Sequence, residues 1–538
     1  MCAALLALAA VFGAGRLAVY AQTAAVTADP NPVTSDADAG RTQIAWDTGD
    51  GSVGQVCVSV DGGPEALFAV GARGSQEAPW ITAGKTYEFR LYRGAERAEV
   101  LGSVVVRNKY EWIDPGGTAL LVVLAALLLG GYFLSGTLRR RLSGSPTAGR
   151  LGERIRSLDP SYGSALYAFT LTRLVVVVVF LLTVNLVLKE PEVAGQPREA
   201  SITVADRGHV GKVGQMALIN DAGWYMTIVR DGYERRPFDT SRQANWAFFP
   251  LYPLLWRYAS RLTGELPFTG MALSNIFFFF ALVMLHRLVR QFGHAADVAD
   301  RTVFYVAAFP SSYFFSLPWT ESLFLCLSVG AFYAAKRGSW WLAGAAGALS
   351  TATRVSGVYL FPVLLILYLQ QHGRRVRPNV LALLLIPTGA LAFMSYLYAI
   401  TGNALAFRDI LATWARHSGF FLNPLVAYLV RPSEVGVPWD LKLLNFTVAV
   451  VALACTFVLF KRRQWALGLY ALFSALTPLS TGILMSFTRY TAVAFPVHMA
   501  LASAGRRPRV DQAIRALFVA ALALMSALFA ANITLGGA

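Results

Sequence analysis

The chain has 538 residues, 55% of them hydrophobic and only 14% charged, with a mean hydropathy of +0.49. That is too apolar for a protein whose whole surface faces water, and it points to a polytopic membrane protein. Cys2, Cys57, Cys326 and Cys455 show no CxxC spacing, and the six histidines form no HExxH or His-Cys cluster, so neither a disulfide framework nor a zinc site is signalled. The formal charge of +16 could serve nucleic acid or an anionic membrane surface. The placement of the basic residues decides for membrane topology and against nucleic acid.

The opening stretch "MCAALLALAAVFGAGRLAVYAQT" has a short apolar core and an Ala-x-Ala-like end, so residues 1–22 read as a signal peptide. From 24 to 107 the texture changes to alternating strands. Val56, Val58 and Val60 alternate with Gln55, Cys57 and Ser59, and Tyr87, Phe89 and Leu91 alternate with Glu88 and Arg90. Gly and Asp turns between such strands predict a small β-sandwich resembling immunoglobulin or fibronectin-like modules. With Cys57 its only cysteine, the module has no internal disulfide.

Apolar runs of bilayer length then recur to the C-terminus. An extra transmembrane helix is expected at 117–137. Further spans are expected near 165–188, 267–289, 302–318, 320–336, 339–354, 356–371, 378–400, 442–460, 464–481, 490–504 and 512–532, about twelve in all. With the β-module outside, alternate short connections carry "RRR" at 139–141, "HRLVR" at 286–290, "KR" at 336–337, "GRRVR" at 373–377, "KRR" at 461–463 and "GRRPR" at 505–509. All then fall on the cytoplasmic side, as basic loops prefer. The pair Arg235-Arg236 sits in the long loop from 189 to about 266, where that preference is weak. Counting "WAFFPLYPLLWRYASRL" at 246–262 as a crossing would turn the later clusters outward, so it is read as an interfacial segment.

On this topology four charges share the extracytoplasmic ends: Asp221 in the long loop, Glu321 in "SLPWTESLF", Arg354 at the end of one helix and Arg489 at the start of another. Ionisable residues at membrane depth are costly and mark functional cavities. Asp221 has two compatible readings: N-cap of a helix from Ala222 to Asp231 closed by Gly232, or a general base. Glu321 alone could be an interfacial carboxylate, and each arginine a snorkelling cation. Each arginine nevertheless needs an anion, and a phosphate is a natural bidentate partner. Trp224, Tyr225, Trp246, Phe248 and Phe249 read first as membrane anchors and second as walls for a lipid chain or a sugar ring. An acid, cations and apolar surroundings suit transfer from a lipid-linked phosphate donor, and no GxGxxG unit or P-loop suggests a soluble nucleotide-sugar fold.

In order, "DAGWYMTIVRDGY", "WAFFPLYPLL", "FPSSYFFSLPWTESLF", "TRVSG" and "RYTAVAFP" resemble the motifs of GT-C type integral-membrane glycosyltransferases, and within them the GPI mannosyltransferase 2 (PIG-V-like) group. The resemblance covers residues 165 to 532 and leaves out the β-module and the helix at 117–137. It implies an inverting transferase that uses a polyprenyl-phosphate sugar, typically mannose, on a glycan, glycolipid or protein acceptor at the external face of the bilayer. It gives Asp221 the base role and places Glu321, Arg354, Arg489, Tyr490, Trp224, Tyr225, Tyr233 and Phe249 around the substrates. The family's first motif often reads Trp-Asp, whereas Asn220 precedes Asp221 here; with the appended β-module this favours a prokaryotic relative and implies no GPI acceptor. The residues require no cofactor: arginines can hold a monophosphate donor, and one or two acids are no Asp-rich metal cluster, so the need for a divalent metal stays open. Two rivals belong to other classes. A flippase for lipid-linked sugars would favour internal repeats and midplane polar sites, and no convincing repeat is found. A surface anchor for the β-module would need one or two helices, not about twelve.

Overall fold

The computed structural model describes residues 24–107, 159–186, 213–430 and 442–531, apart from short gaps at 32, 34–38, 83–84, 95, 98, 215, 265, 374, 415, 417–418, 482 and 485. The expected signal peptide at 1–22 and helix at 117–137 lie outside the described residues. The chain divides into two compact units, one holding the strands of 24–107 and the other the helices from 159 onward.

The first unit has seven strands: β1 (Ala25–Asp29), β2 (Ala39–Asp47), β3 (Gly54–Val60), β4 (Ala66–Gly71), β5 (Arg73–Thr82), β6 (Thr86–Arg93) and β7 (Val100–Arg107). They form antiparallel sheets in the orders β1-β2-β5 and β4-β3-β6-β7. Ile44, Trp46, Ala78 and Ile81 from the first sheet share one core with Val56, Phe89, Leu91 and Val106 from the second. The period-2 alternation therefore does what it predicts on β6, where Tyr87, Phe89 and Leu91 face inward and Arg90 pairs outside with Glu65 and Glu88. On β3 the alternation is blurred, because Cys57 and Ser59 are buried as well.

The helical unit contains α1 (Pro160–Leu186), α2 (Asp221–Asp231), α3 (Leu251–Thr263), α4 (Pro267–Gln291), α5 (Ala296–Ala308), α6 (Glu321–Lys336), α7 (Trp340–Thr353), α8 (Leu360–His372), α9 (Thr388–Thr401), α10 (Lys442–Lys461), α11 (Trp465–Leu479), α12 (Phe487–Ala492), α13 (Phe495–Ala504) and α14 (Pro508–Ala530). Among the described residues six helical stretches are long and apolar enough to cross a bilayer: 160–184, 267–291, 355–372, 378–401, 442–461 and 508–530. The two 3-10 runs that lead into α8 and α9 supply part of that length. The remaining apolar helices are shorter than a full crossing.

Two expected spans are corrected. The run at 302–318 is helical only to Ala308; Pro310 and Pro318 then exclude regular helix, and 309–320 becomes a buried loop around the 3-10 turn Ser312–Ser316. The run at 490–504 breaks between α12 and α13, with Pro496 opening the second helix. The segment 246–262 is, as its composition suggests, no crossing. It contains a 3-10 turn and the 13-residue α3, which buries Tyr252 and Trp256 and exposes Leu254, Tyr258 and Leu262. One apolar face in and another out is the pattern of a helix lying along an interface.

Close helix approach rests on small residues. A Cβ on Gly344 of α7 would fall 2.0 Å from the carbonyl oxygen of Ala382, so only glycine lets α7 meet the 378–401 stretch at this distance. The helix directions also sort the charges. Glu321 and Lys336 mark opposite ends of the 16-residue α6, about 22 Å apart at 1.5 Å per residue. Lys336 lies over the Phe292 ring just past α4, Gln371 of α8 donates to Ala335 O, Gln464 after α10 meets His294 and Arg506 after α13 acts on that histidine. Arg290, Arg375, Arg377, Lys461 and Arg506 therefore lie toward the Lys336 end.

Candidate active site

The four charges read from the sequence meet in one network. Arg489 donates Nη1 to Asp221 Oδ2 at 2.6 Å and Nε to Glu321 Oε1 at 2.5 Å. Arg354 donates Nη1 to the same Glu321 oxygen and to the Thr320 hydroxyl, the latter at 3.4 Å. Neither arginine is therefore an unpaired cation awaiting an external anion, as the sequence alone suggested. Glu321 lies between them and is wholly buried, while the Asp221 side chain keeps 22% exposure. Glu321 Oε2 is buried without a hydrogen-bond partner.

Each charge is placed by local structure that its sequence explains. Asp221 opens α2 and is no cap: Asn220 holds the N-cap position at φ 57, and neither helix end has a side-chain cap. The positive φ is one that asparagine tolerates better than most residues. Freed from its own helix, the Asp221 carboxylate turns to Arg489, which overturns the N-cap reading; Gly232 does close the helix, its N–H bonding Ile228 O at 3.1 Å. Glu321 is the first residue of α6, directly after the Leu-Pro-Trp-Thr turn, where a carboxylate also meets the favourable end of the helix dipole. Arg354 ends α7 in an extended conformation, and Gly357 turns back so tightly that a Cβ there would meet the backbone of Ser350 and Thr351 at 2.6 Å. Arg489 sits within the short α12 and does not begin a long span. Its neighbour Thr488 is held from two sides: Asn445 Oδ1 accepts from the Thr488 N–H at 3.0 Å and from its hydroxyl at 2.6 Å, and Thr488 O accepts from the Ser311 hydroxyl at 3.0 Å.

Aromatic rings wall the network. The Arg489 guanidinium lies 4.1 Å from the Trp319 ring and 5.3 Å from Phe314, and that of Arg354 lies 5.2 Å from Tyr490, contacts favourable to a cation. The Tyr225 hydroxyl meets that of Thr320 at 3.3 Å, which ties α2 to the start of α6.

The other expected substrate residues stand further out. Trp224 stacks on Phe248 and meets Trp414 edge-on. Tyr233 donates to Phe248 O at 2.6 Å, and Phe249 packs against Phe393 and Phe407. Trp246 is fully buried, with Nε1 on Glu234 O at 2.8 Å, so it is a core residue and no membrane anchor. The loop after α2 is pinned by Arg236, which pairs with Glu234 and Asp239 and lies over the Trp246 ring. The Ser241 hydroxyl and amide, helped by Arg236, hold the Asp239 carboxyl down to about 2.

Three further residues shape the site without a sequence motif to announce them. Arg173, fully buried on α1, donates to Ser312 O at 2.7 Å, Ser312 Oγ at 2.8 Å, Ser316 Oγ at 2.9 Å and Ala307 O at 3.0 Å. It thereby fixes the 309–320 loop that carries Trp319 and leads into Glu321. Arg173 was findable as the single charge in the run "LTRLVVVVVF". Asn445, which holds Thr488, and Arg416, which donates to the Tyr490 hydroxyl at 3.2 Å, carried no comparable signal. Among the described residues no group of three or more His, Cys, Asp or Glu side chains is arranged to hold a metal ion. What the network offers chemically is a partly open carboxylate, oriented through one oxygen, beside guanidinium groups suited to a developing negative charge.

Residues 163–376 match the family model of the mannosyltransferase (PIG-V) group. The resemblance carried by the ordered motifs is thus shown over that segment, which holds Asp221, Glu321 and Arg354. GPI mannosyltransferase 2 of Yarrowia lipolytica is 31% identical over 116 residues, covering 21% of this chain. The match spans about a third of that relative, 31% of its length. The crystal structure of ArnT from Cupriavidus metallidurans bound to undecaprenyl phosphate aligns over 64% of this chain and 61% of its own, at 15% identity and a TM-score of 0.38.

Proposed function

We propose that this chain is a membrane-embedded glycosyltransferase of the GT-C type that moves mannose from a polyprenyl-phosphate donor to an acceptor hydroxyl, with inversion at the anomeric carbon. The observation that carries the proposal is the Asp221–Arg489–Glu321–Arg354 network, with its one partly exposed carboxylate at the edge. In this reading Asp221 accepts the proton of the acceptor hydroxyl as that oxygen bonds to the anomeric carbon. The bond from that carbon to the phosphate oxygen breaks on the opposite face, and the electron pair leaves with the lipid phosphate. Arginine donors stabilise the departing phosphate. Arg489 orients the base through Oδ2, and among the described residues Asp221 Oδ1 makes no protein hydrogen bond and is available to the acceptor.

The wholly buried Glu321 has a different task. It neutralises two guanidinium groups that would otherwise repel each other, and it sets their spacing. The mannosyltransferase match supports the sugar class. The gathering of basic residues at the helix ends remote from the network supports an active site that faces away from the cytosol. For the β-sandwich, a compact unit of its own, the reading is binding of acceptor glycan or cell wall, or shielding of the site.

The test is transfer by purified full-length protein from polyprenyl-phosphate radiolabelled mannose to a membrane-lipid extract. Label should appear in an alkali-stable product with the anomeric configuration opposite to that of the donor. Transfer from a nucleotide sugar but not from the lipid donor would contradict the proposal.

A further inference from the structure

The bilayer-length helix α10 carries an amide, Asn445, buried in its first turn. A carboxamide in such surroundings is costly unless its hydrogen bonds are made. The two threonines of the same helix meet that demand within it: Thr447 donates to Leu443 O at 2.7 Å and Thr456 to Ala452 O at 2.8 Å. Asn445 instead reaches a different helix. Its Oδ1 accepts from both the N–H and the hydroxyl of Thr488, at 3.0 and 2.6 Å. The next residue in the chain is Arg489, the cation that joins the two carboxylates of the network.

The helix that carries Arg489 has little of its own to hold it. α12 is only 6 residues long, too short to persist on local hydrogen bonds, and it starts from Ser486 in the left-handed region at φ 63. Its place is therefore set by ties to its neighbours. At Thr488 both backbone polar groups are held: Asn445 of α10 takes the N–H, and the Ser311 hydroxyl of the 309–320 loop donates to the carbonyl at 3.0 Å. From the adjoining position Arg489 meets Asp221 through Nη1 at 2.6 Å and Glu321 through Nε at 2.5 Å. A planar fork that must meet two carboxylates at once tolerates little displacement of the backbone that bears it.

We infer that Asn445 is a positioning residue for the transfer: through Thr488 it fixes α12 so that Arg489 holds Asp221 with its second oxygen turned to the acceptor. The inference rests on the base role proposed above for Asp221. Among the described residues Asn445 makes no hydrogen bond to any of the four charges, so it acts only through the residue beside Arg489. Asn445, Thr488 and Arg489 all lie beyond residues 163–376, which match the mannosyltransferase family model. The orientation of the base thus depends on a part of the chain outside that segment.

Three variants of the full-length protein test this: Asn445→Leu, similar in size but without the acceptor, and the pair Thr488→Val and Thr488→Ser. Transfer of radiolabelled mannose from the polyprenyl-phosphate donor is measured per folded molecule, the folded fraction being read from gel filtration. Asn445→Leu should lower kcat about tenfold or more, since a misplacement of about 1 Å can cost about 100-fold, and KM for the donor should stay within about threefold of wild type. Thr488→Val keeps the N–H bond and loses the hydroxyl bond, so its kcat should fall less. Thr488→Ser keeps both and should recover most of the turnover. A merely structural role would reduce the yield of folded protein and leave kcat per folded molecule at the wild-type value, which would overturn the inference while leaving the base role standing. A raised KM at unchanged kcat would make Asn445 a binding residue and overturn it too. Should Asn445→Leu not fold, equal turnover by Thr488→Val and Thr488→Ser overturns the inference. Wild-type turnover by Asp221→Asn would overturn the base role itself, and this inference with it.

Discussion

Two buried arginine systems in the helical unit solve the same electrostatic problem in opposite ways. Arg173 has carbonyl and hydroxyl oxygens for partners, and among the described residues it faces no carboxylate. Arg489 and Arg354 share a carboxylate, and Arg489 reaches a second one at the network's edge. Neutral acceptors take both terminal nitrogens of Arg173 and fix a loop, while its Nε stays buried without a partner; no carboxylate is there to serve as a base. Carboxylates supply countercharge, and the one that is partly open is the proposed base. The difference separates a clamp from the proposed reaction centre: only the second holds a carboxylate open to a substrate.

The comparison is best broken at Glu321. Glu321→Ala leaves two guanidiniums side by side with no anion between them, and removing one partner of a buried ion pair costs about 3–5 kcal/mol. The variant should show a strongly lowered thermal midpoint in detergent and no transfer. A near-normal midpoint would mean that the pairings contribute little and that the network is solvated.

At Arg173 the expected loss is smaller. Arg173→Lys keeps the charge but has three donors in place of a planar fork, so some of the 307–316 oxygens lose their partner. The loss should be about 1–3 kcal/mol, the cost of a buried polar group left unsatisfied. Because the loop carries Trp319 toward Arg489, turnover should fall while the apparent affinity for donor changes little. A drop in donor affinity with unchanged turnover would move Arg173 from clamp to binding residue.

The smallest effect is expected at the β-sandwich. Removing residues 24–107 while keeping residues 1–22 should leave transfer to a small soluble acceptor within about threefold of wild type, since the sandwich has its own core. Complete loss of transfer in a folded deletion would place the module in the chemistry.

The sequence made the network legible because a bilayer penalises charge so heavily that four ionisable residues at one set of helix ends demanded an explanation. Asp221, Glu321, Arg354 and Arg489 were found in that way. Their pairing was not legible, because it depends on how helices 268 residues apart in sequence approach each other. The breaks at 309–320 and 493–494 were hidden by uniform apolarity: length and hydropathy read each run as one span. On α6 the capacity of the sequence to place an acid at a helix start sufficed, whereas at Asp221 the same local rule misled, since a tertiary ion pair outweighed a cap. Arg416 escaped notice because only folding sets it against Tyr490.

The central claim is that Asp221 is the base, and one substitution addresses it. Asp221→Asn keeps the shape and an oxygen that can still accept from Arg489, but it cannot take the acceptor's proton. General base catalysis is worth about 100-fold to 10,000-fold. Mannosyl turnover by the purified Asp221→Asn variant should therefore fall at least about 100-fold, with undecaprenyl phosphate retention and thermal midpoint close to wild type. Turnover within a few-fold of wild type would contradict the claim and leave Asp221 a structural partner of Arg489.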